Sequence, residues 1–99
     1  MTDRRTVRVA ESFFERLDAQ LPAERTATGS ISATDFLAFE LPSAIERLQT
    51  RYESVTRPID GEADVRVMVI GGQLVGAMAI YTVVDADDVV WLISIAIDR

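Results

Sequence analysis

The sequence contains no cysteine, no histidine and no lysine. Without cysteine there can be no disulfide, thiolate ligand or thiol nucleophile, and without histidine no imidazole ligand and no Ser-His-Asp triad. We therefore expect no metal site and no cofactor. Long apolar runs are also missing. The N-terminus, MTDRRTVRVAESF, has no apolar core of signal-peptide length, and no apolar stretch reaches the ~18 residues of a membrane span before meeting glycine or a charge. These absences predict a soluble, unexported, cytoplasmic chain that does not enter a membrane. Positive charge is scarce: ten arginines face sixteen acids, a net charge of −6. A polyanion meets a repulsive average field, because nucleic-acid affinity rests on cationic side chains displacing phosphate counterions, so nucleic-acid binding is not expected. Only Arg4, Arg5 and Arg8 cluster, and they read as a solvated edge that guards the first strand.

What is present fits one domain spanning residues 1–99, long enough to bury about two-thirds of the surface of its unfolded chain. TVRVA (6–10) alternates as a half-buried strand does. SFFERLDAQL (12–21) changes to helical spacing, with Phe13, Phe14, Leu17 and Leu21 on one stripe, Ser12 placed to cap it and Pro22 to stop it. PAERTATGSIS (22–32) is a polar loop. Ser32 or Thr34 can cap a second helix running from Asp35 to about Ser54, whose apolar residues include Phe36, Phe39 or Leu37, Leu41, Ile45, Leu48, Tyr52 and Val55. Pro42 lies inside that pattern and predicts a kink, since it has no N–H for the carbonyl four residues back. After the loop VTRPIDGE come three strand patterns, DVRVMVI (64–70), LVGAMAIYTVV (74–84) and VVWLISIAI (89–97), joined by GG and DADD turns. The expected fold class is α+β in the order β-α-α-β-β-β, an antiparallel sheet with a two-helix hairpin packed on one face.

Two helices can cover one face of that sheet, yet the last two strands are apolar on both. An antiparallel sheet with one solvated face should alternate apolar and polar residues. The second face therefore calls for a cover from another chain, either a partner protein or a further copy. Parity groups Trp91, Ile93, Ile95 and Ile97 apart from Leu92, Ser94 and Ala96. The bulkier Trp91 row is the expected core, which leaves Met78, Leu92 and Ala96 as the expected partner-binding residues.

Motifs for small-molecule chemistry are weak. GGQLVG (71–76) lacks the G-x-G-x-x-G spacing and is explained by a hairpin turn. DADD (85–88) lacks the further ligands of a calcium loop and reads as a solvated turn. Arg66, Tyr81 and Arg99 are the candidate catalytic residues. Arginines on a sheet can steady developing phosphate charge, and a tyrosine can stack or relay a proton. The competing reading makes Tyr81 core and both arginines solvated.

The element order, with VRVAESFFERLD at the start, DGEADVRVMV opening the meander and AIYTVVDADDVVWLISIAIDR at its end, resembles the RelE/ParE superfamily of small bacterial toxins from type II toxin–antitoxin modules. The resemblance implies a cognate antitoxin that lays an extended or helical segment over exposed toxin surface. It also implies, for ribonuclease members, basic and aromatic residues on the sheet that cut messenger RNA on the ribosome. Arg66 stands at one such position, but Met68 and Met78 occupy places where that pattern has basic residues. Those members also continue past the last strand to an aromatic residue, whereas this sequence ends at Arg99. The resemblance thus implies a toxin-fold protein working through protein–protein contact rather than RNA cleavage. The alternatives are a catalytically inert small α/β protein that self-associates through its sheet, and a weak ribonuclease using Arg66, Tyr81 and Arg99.

Overall fold

The computed structural model describes residues 5–21, 32–71 and 77–98. Strand β1 (Val7–Val9) leads directly into helix α1 (Glu11–Gln20). A second helix, α2, runs over residues 33–55 in three parts: a first turn Ala33–Asp35, a wide π turn Phe36–Glu40 and the α-helical body Leu41–Val55. Four strands follow, β2 (Arg57–Ile59), β3 (Glu62–Ile70), β4 (Ala77–Val84) and β5 (Val90–Asp98), and the five form one sheet in the order β1-β5-β4-β3-β2.

The fold is mixed α+β, with two departures from the sequence expectation. The sheet is not wholly antiparallel, because β1 pairs with β5 in parallel. The Val90 amide donates to the Thr6 carbonyl and the Ala10 amide to the Leu92 carbonyl, each over 2.9 Å, which ties both ends of β1 to its neighbour. The second departure is β2, which lies within the segment read as a loop. Pro58 has no N–H to give a ladder, but on an edge strand one side needs none. The register shift between Pro58 and Ile59 and the left-handed Gly61 (φ 83°) then turn the chain into β3.

The distortion that the Pro42 pattern predicts does not fall at the proline: the helix widens just before it, and a kink falls further on at Arg51, whose backbone is non-helical (φ −141°, ψ 36°). At Phe36–Glu40 the Leu41 amide reaches back five residues to the Phe36 carbonyl instead of four. One extra residue in the turn widens the backbone where the proline ring would crowd the preceding carbonyls. The apolar buried stripe therefore steps from Phe36 to Leu41, with Glu40 buried beside it, before resuming through Ala44, Leu48 and Tyr52, and Phe39 is left 61% exposed. Ser32 caps the helix in a capping box: its hydroxyl accepts from the Asp35 amide while the Asp35 carboxylate accepts from the Ser32 amide. Ser12 does not cap α1; Ala10 holds the N-cap position, and the Ser12 hydroxyl donates to the Ile93 carbonyl over 2.7 Å. Pro22, the 22–31 part of the predicted loop, and Leu74 and Val75 lie outside the described residues.

Both helices bury their apolar stripes on one side of the sheet. Phe13 and Leu17 of α1 and Phe36, Leu48 and Tyr52 of α2 share a core with Met68, Met78, Ile80, Val90, Leu92 and Ile95. Beyond Leu92, β5 has no strand neighbour on its β1 side among the described residues, and the side-chain amide of Gln20 takes that place. It donates to the Ile95 carbonyl and accepts from the Ile97 amide, both over 2.7 Å, as a strand residue would. A long unpaired edge invites pairing with other chains, and this amide blunts it. Gln20→Ala leaves two part-buried backbone groups without that partner and is expected to lower stability by about 1–2 kcal/mol in urea unfolding, while the neighbouring Arg16→Ala stays close to wild type.

Candidate functional site

The side of the sheet away from the helices is the candidate site, and a β-bulge determines what it displays. Between β4 and β5, Tyr81 pairs with Ser94 but Thr82 pairs with Leu92, so Ile93 is an extra residue in β5. The extra residue reverses the alternation of β5. Leu92 before the bulge and Ile95 and Ile97 after it all face the helices, and Trp91, Ile93 and Ala96 face the other way. This overturns the strict parity drawn from the sequence. Met78 and Leu92, expected to bind a partner, are 2% and 0% exposed in the helix-covered core. Ala96 lies exposed on the open side, and Trp91 belongs with it rather than with Ile95.

Strand pairing sets out the open side in rows. Val65, Val83 and Trp91 stand side by side, with Arg8 of β1 at the end of the row. The next row holds Val67, Tyr81 and the bulge residues Ile93 and Ser94, flanked by Arg57 of β2. The third holds Val69, Ala79 and Ala96. Side-chain size falls along two of the three long strands: β4 presents Val83 and Tyr81, then Ala79 and Ala77, and β5 presents Trp91 and Ile93, then Ala96, while β3 carries valine throughout as Val65, Val67 and Val69. At the small end lies a shallow hollow of about 320 Å³ lined by Val69, Ala77, Met78, Ala79, Ala96 and Ile97. Val69 is 68% exposed, and of the residues around the hollow only Met78 and Ile97 belong to the core that the helices cover.

The candidate catalytic residues are not brought together. Tyr81 is half-buried on the open side, whereas Arg66 points to the helix side and is committed to structure. Its Nε donates to Thr56 Oγ1 over 2.8 Å and a terminal nitrogen donates to the Thr56 carbonyl over 2.9 Å. Thr56 follows the last turn of α2, and its hydroxyl in turn donates to the Tyr52 carbonyl. The Tyr52 hydroxyl bonds to Thr82 Oγ1, which donates to the Arg66 carbonyl and closes a ring of contacts. Arg99 lies outside the described residues. A guanidinium that satisfies the carbonyl end of a helix and lies 5.9 Å from the Tyr52 ring centre is a clamp between α2 and β3.

Arg5, read from the sequence as part of a solvated edge, has a similar task. It ion-pairs with Asp88 at 2.8 Å and Glu53 at 3.4 Å and lies 5.1 Å from the centre of the same Tyr52 ring. Its backbone amide also takes the Gln49 carbonyl, two residues before the non-helical Arg51 that bends α2. A polar cleft of about 520 Å³ beside it is lined among others by Arg5, Arg51, Glu53 and Asp88, and the two carboxylates, both paired with Arg5, make it a poor anion site.

The DADD turn is organised by its first residue. Asp85 Oδ1 accepts from the Asp87 and Val89 amides at 2.8 and 3.0 Å, and Oδ2 accepts from the Trp91 indole N–H at 2.8 Å. Asp88 adopts the left-handed region (φ 65°), which aspartate tolerates in tight turns. The Trp91 indole foremost, then the two amides and Arg8, hold the Asp85 carboxyl below its ordinary range against a smaller opposing effect of desolvation. No group of metal-ligating side chains occurs among the described residues. No described helix is long and apolar enough to cross a membrane. Comparison with known protein families, characterised proteins and solved structures finds no match to this chain.

Two outcomes test these assignments. Arg66→Ala should cost about 1–3 kcal/mol in urea unfolding, because it strips partners from Thr56; an unchanged midpoint would refute its structural role. For Asp85 the folded carboxyl is the stronger acid, so its stabilisation is present above the ordinary aspartate range and lost as pH falls through the lowered value. The stability gap between wild type and Asp85→Asn should accordingly shrink on acidification, and the NMR titration midpoint of Asp85 should rise in Trp91→Phe. A midpoint unmoved by that substitution would remove Trp91 as the cause.

Proposed function

We propose that this chain is a RelE/ParE-like toxin-fold protein of a bacterial type II toxin–antitoxin module, working in the cytoplasm through protein–protein contact rather than by cutting RNA. The observation that carries the reading is the apolar sheet side built from Val67, Val69, Ala79, Tyr81, Val83 and Trp91, which no described element packs on. A side of this kind facing water is an interaction surface by its chemistry. In the proposed module the antitoxin covers it. The separation of Arg66 from Tyr81 supports the non-cleaving reading, since metal-free RNA cleavage needs charge stabilisation and proton transfer converging on one phosphate.

The test is co-expression with the product of the adjacent short reading frame. That protein is expected to co-purify with the wild type and to be lost from Val67→Glu, which places an unpaired carboxylate at the centre of the contact. Messenger RNA mapped during expression of the chain alone should show no new 5′ ends. Ribosome-dependent cleavage that disappears in Tyr81→Phe would overturn the proposal, as would a neighbour that binds Val67→Glu as well as wild type.

A further inference from the structure

The open side is graded, and the grading is complementary to itself. Val83, Tyr81, Trp91 and Ile93 make one end tall, and Ala77, Ala79 and Ala96 make the other low, around the 320 Å³ hollow. We propose that the free chain forms a homodimer through this side, face to face, about a two-fold axis that runs across the strands at the level of Ile80. Such an axis reverses strand direction while keeping each strand over its own copy, so the tall end of one protomer lies over the low end of the other. Tyr81 then sits over Ala79 of the second copy, and Val83 over its Ala77. A two-fold axis along the strands would instead set tall end against tall end and leave a gap at the hollow. Isologous contacts of this type close after two copies and do not propagate.

The area is adequate and no more. Three long strands spaced about 4.8 Å apart and rising about 3.3 Å per residue, with the short edge strands beside them, give a footprint of roughly 500 Å² per copy. About 1,000 Å² in total is the lower bound for a specific interface, which points to a reversible dimer rather than an obligate one. The sheets would lie about 10 Å apart with strand directions offset by about 30°, as in other aligned sheet pairs. The proposal rests on the open side being an interface, as in the proposed function, but not on the toxin assignment. Its consequence for that reading is regulatory: self-association and antitoxin binding compete for the same residues.

The chain carries one tryptophan and no cysteine, which makes the test direct. Wild type is expected to pass from monomer to dimer by sedimentation velocity over the micromolar to high-micromolar range, with Trp91 becoming harder for acrylamide to quench as it does so. Ala79→Arg, which fills the hollow with a charge, should weaken the dimer at least about 100-fold with an unchanged circular dichroism spectrum. For the axis, Val83→Cys and Ala77→Cys chains mixed together should be joined by a short bis-maleimide, whereas Val83→Cys alone should not join to itself.

A wild type that stays monomeric at high micromolar concentration overturns the proposal, whether Trp91 is quenchable or shielded, and leaves the antitoxin reading to its own co-purification test. Self-linking of Val83→Cys without linking to Ala77→Cys overturns the axis and with it the argument from side-chain size. If Ala79→Arg is poorly folded, the cross-linking result in the two cysteine chains decides alone.

Discussion

One inserted residue in β5 governs which side of this protein is core and which is surface. With Ile93 accommodated as a bulge opposite Tyr81, both halves of the last strand turn an aliphatic row toward the helices, and Val90, Leu92, Ile95 and Ile97 form one line. Regular pairing would split that line between the two faces, and the helices would cover only half of it. The bulge is anchored, because the Ser12 hydroxyl takes the Ile93 carbonyl at the start of α1. Its position thus couples the first helix to the last strand, and bulges of this kind also increase local twist and re-aim the side chains beside them.

Periodicity made much of the architecture legible. The strands around residues 64–70, 77–84 and 90–97 and the two helices follow from apolar spacing of two and of three to four residues, and the Ser32 cap follows from its side-chain oxygen. What periodicity could not carry was parity across the bulge, since a row such as Trp91, Ile93, Ile95 and Ile97 looks regular in sequence and a single extra residue divides it. The same limit hid the π turn, which leaves Leu41 on the buried stripe as expected but turns Phe39 out of it. The edge strand β2 was obscured by Pro58, whose missing N–H counts against a strand only where both sides are paired. Nothing local distinguished Arg66 as a clamp or Gln20 as a surrogate strand, because both roles depend on partners dozens of residues away.

The sheet reverses the usual distribution of polarity. On the helix side a connected polar group lies among apolar side chains: Tyr52, Thr56, Arg66 and Thr82 satisfy one another, and no buried side-chain nitrogen or oxygen is left without a partner among the described residues. On the open side the central residues are apolar. A satisfied polar ring in a core gives orientation, fixing α2 against β3 and β4, whereas apolar residues turned to water give nothing to the isolated fold. Orienting groups thus lie inside and apolar ones face out, and on that arrangement the proposed interaction surface rests.

The charge of the chain is arranged consistently with that. Several acids near the sheet lie in turns or at strand ends, Asp60 and Glu62 at one hairpin and Asp85, Asp87 and Asp88 at another, while the two arginines of the open side, Arg8 and Arg57, occupy opposite edges. A net charge of −6 keeps copies apart at long range and discourages indiscriminate association through an apolar surface. At physiological ionic strength that repulsion is screened over about 8 Å, a distance comparable to the gap between packed sheets. Only a partner able to bring its own apolar surface flat against the strands gains enough burial to offset it, so the charge that opposes contact in general also selects for contacts that fit.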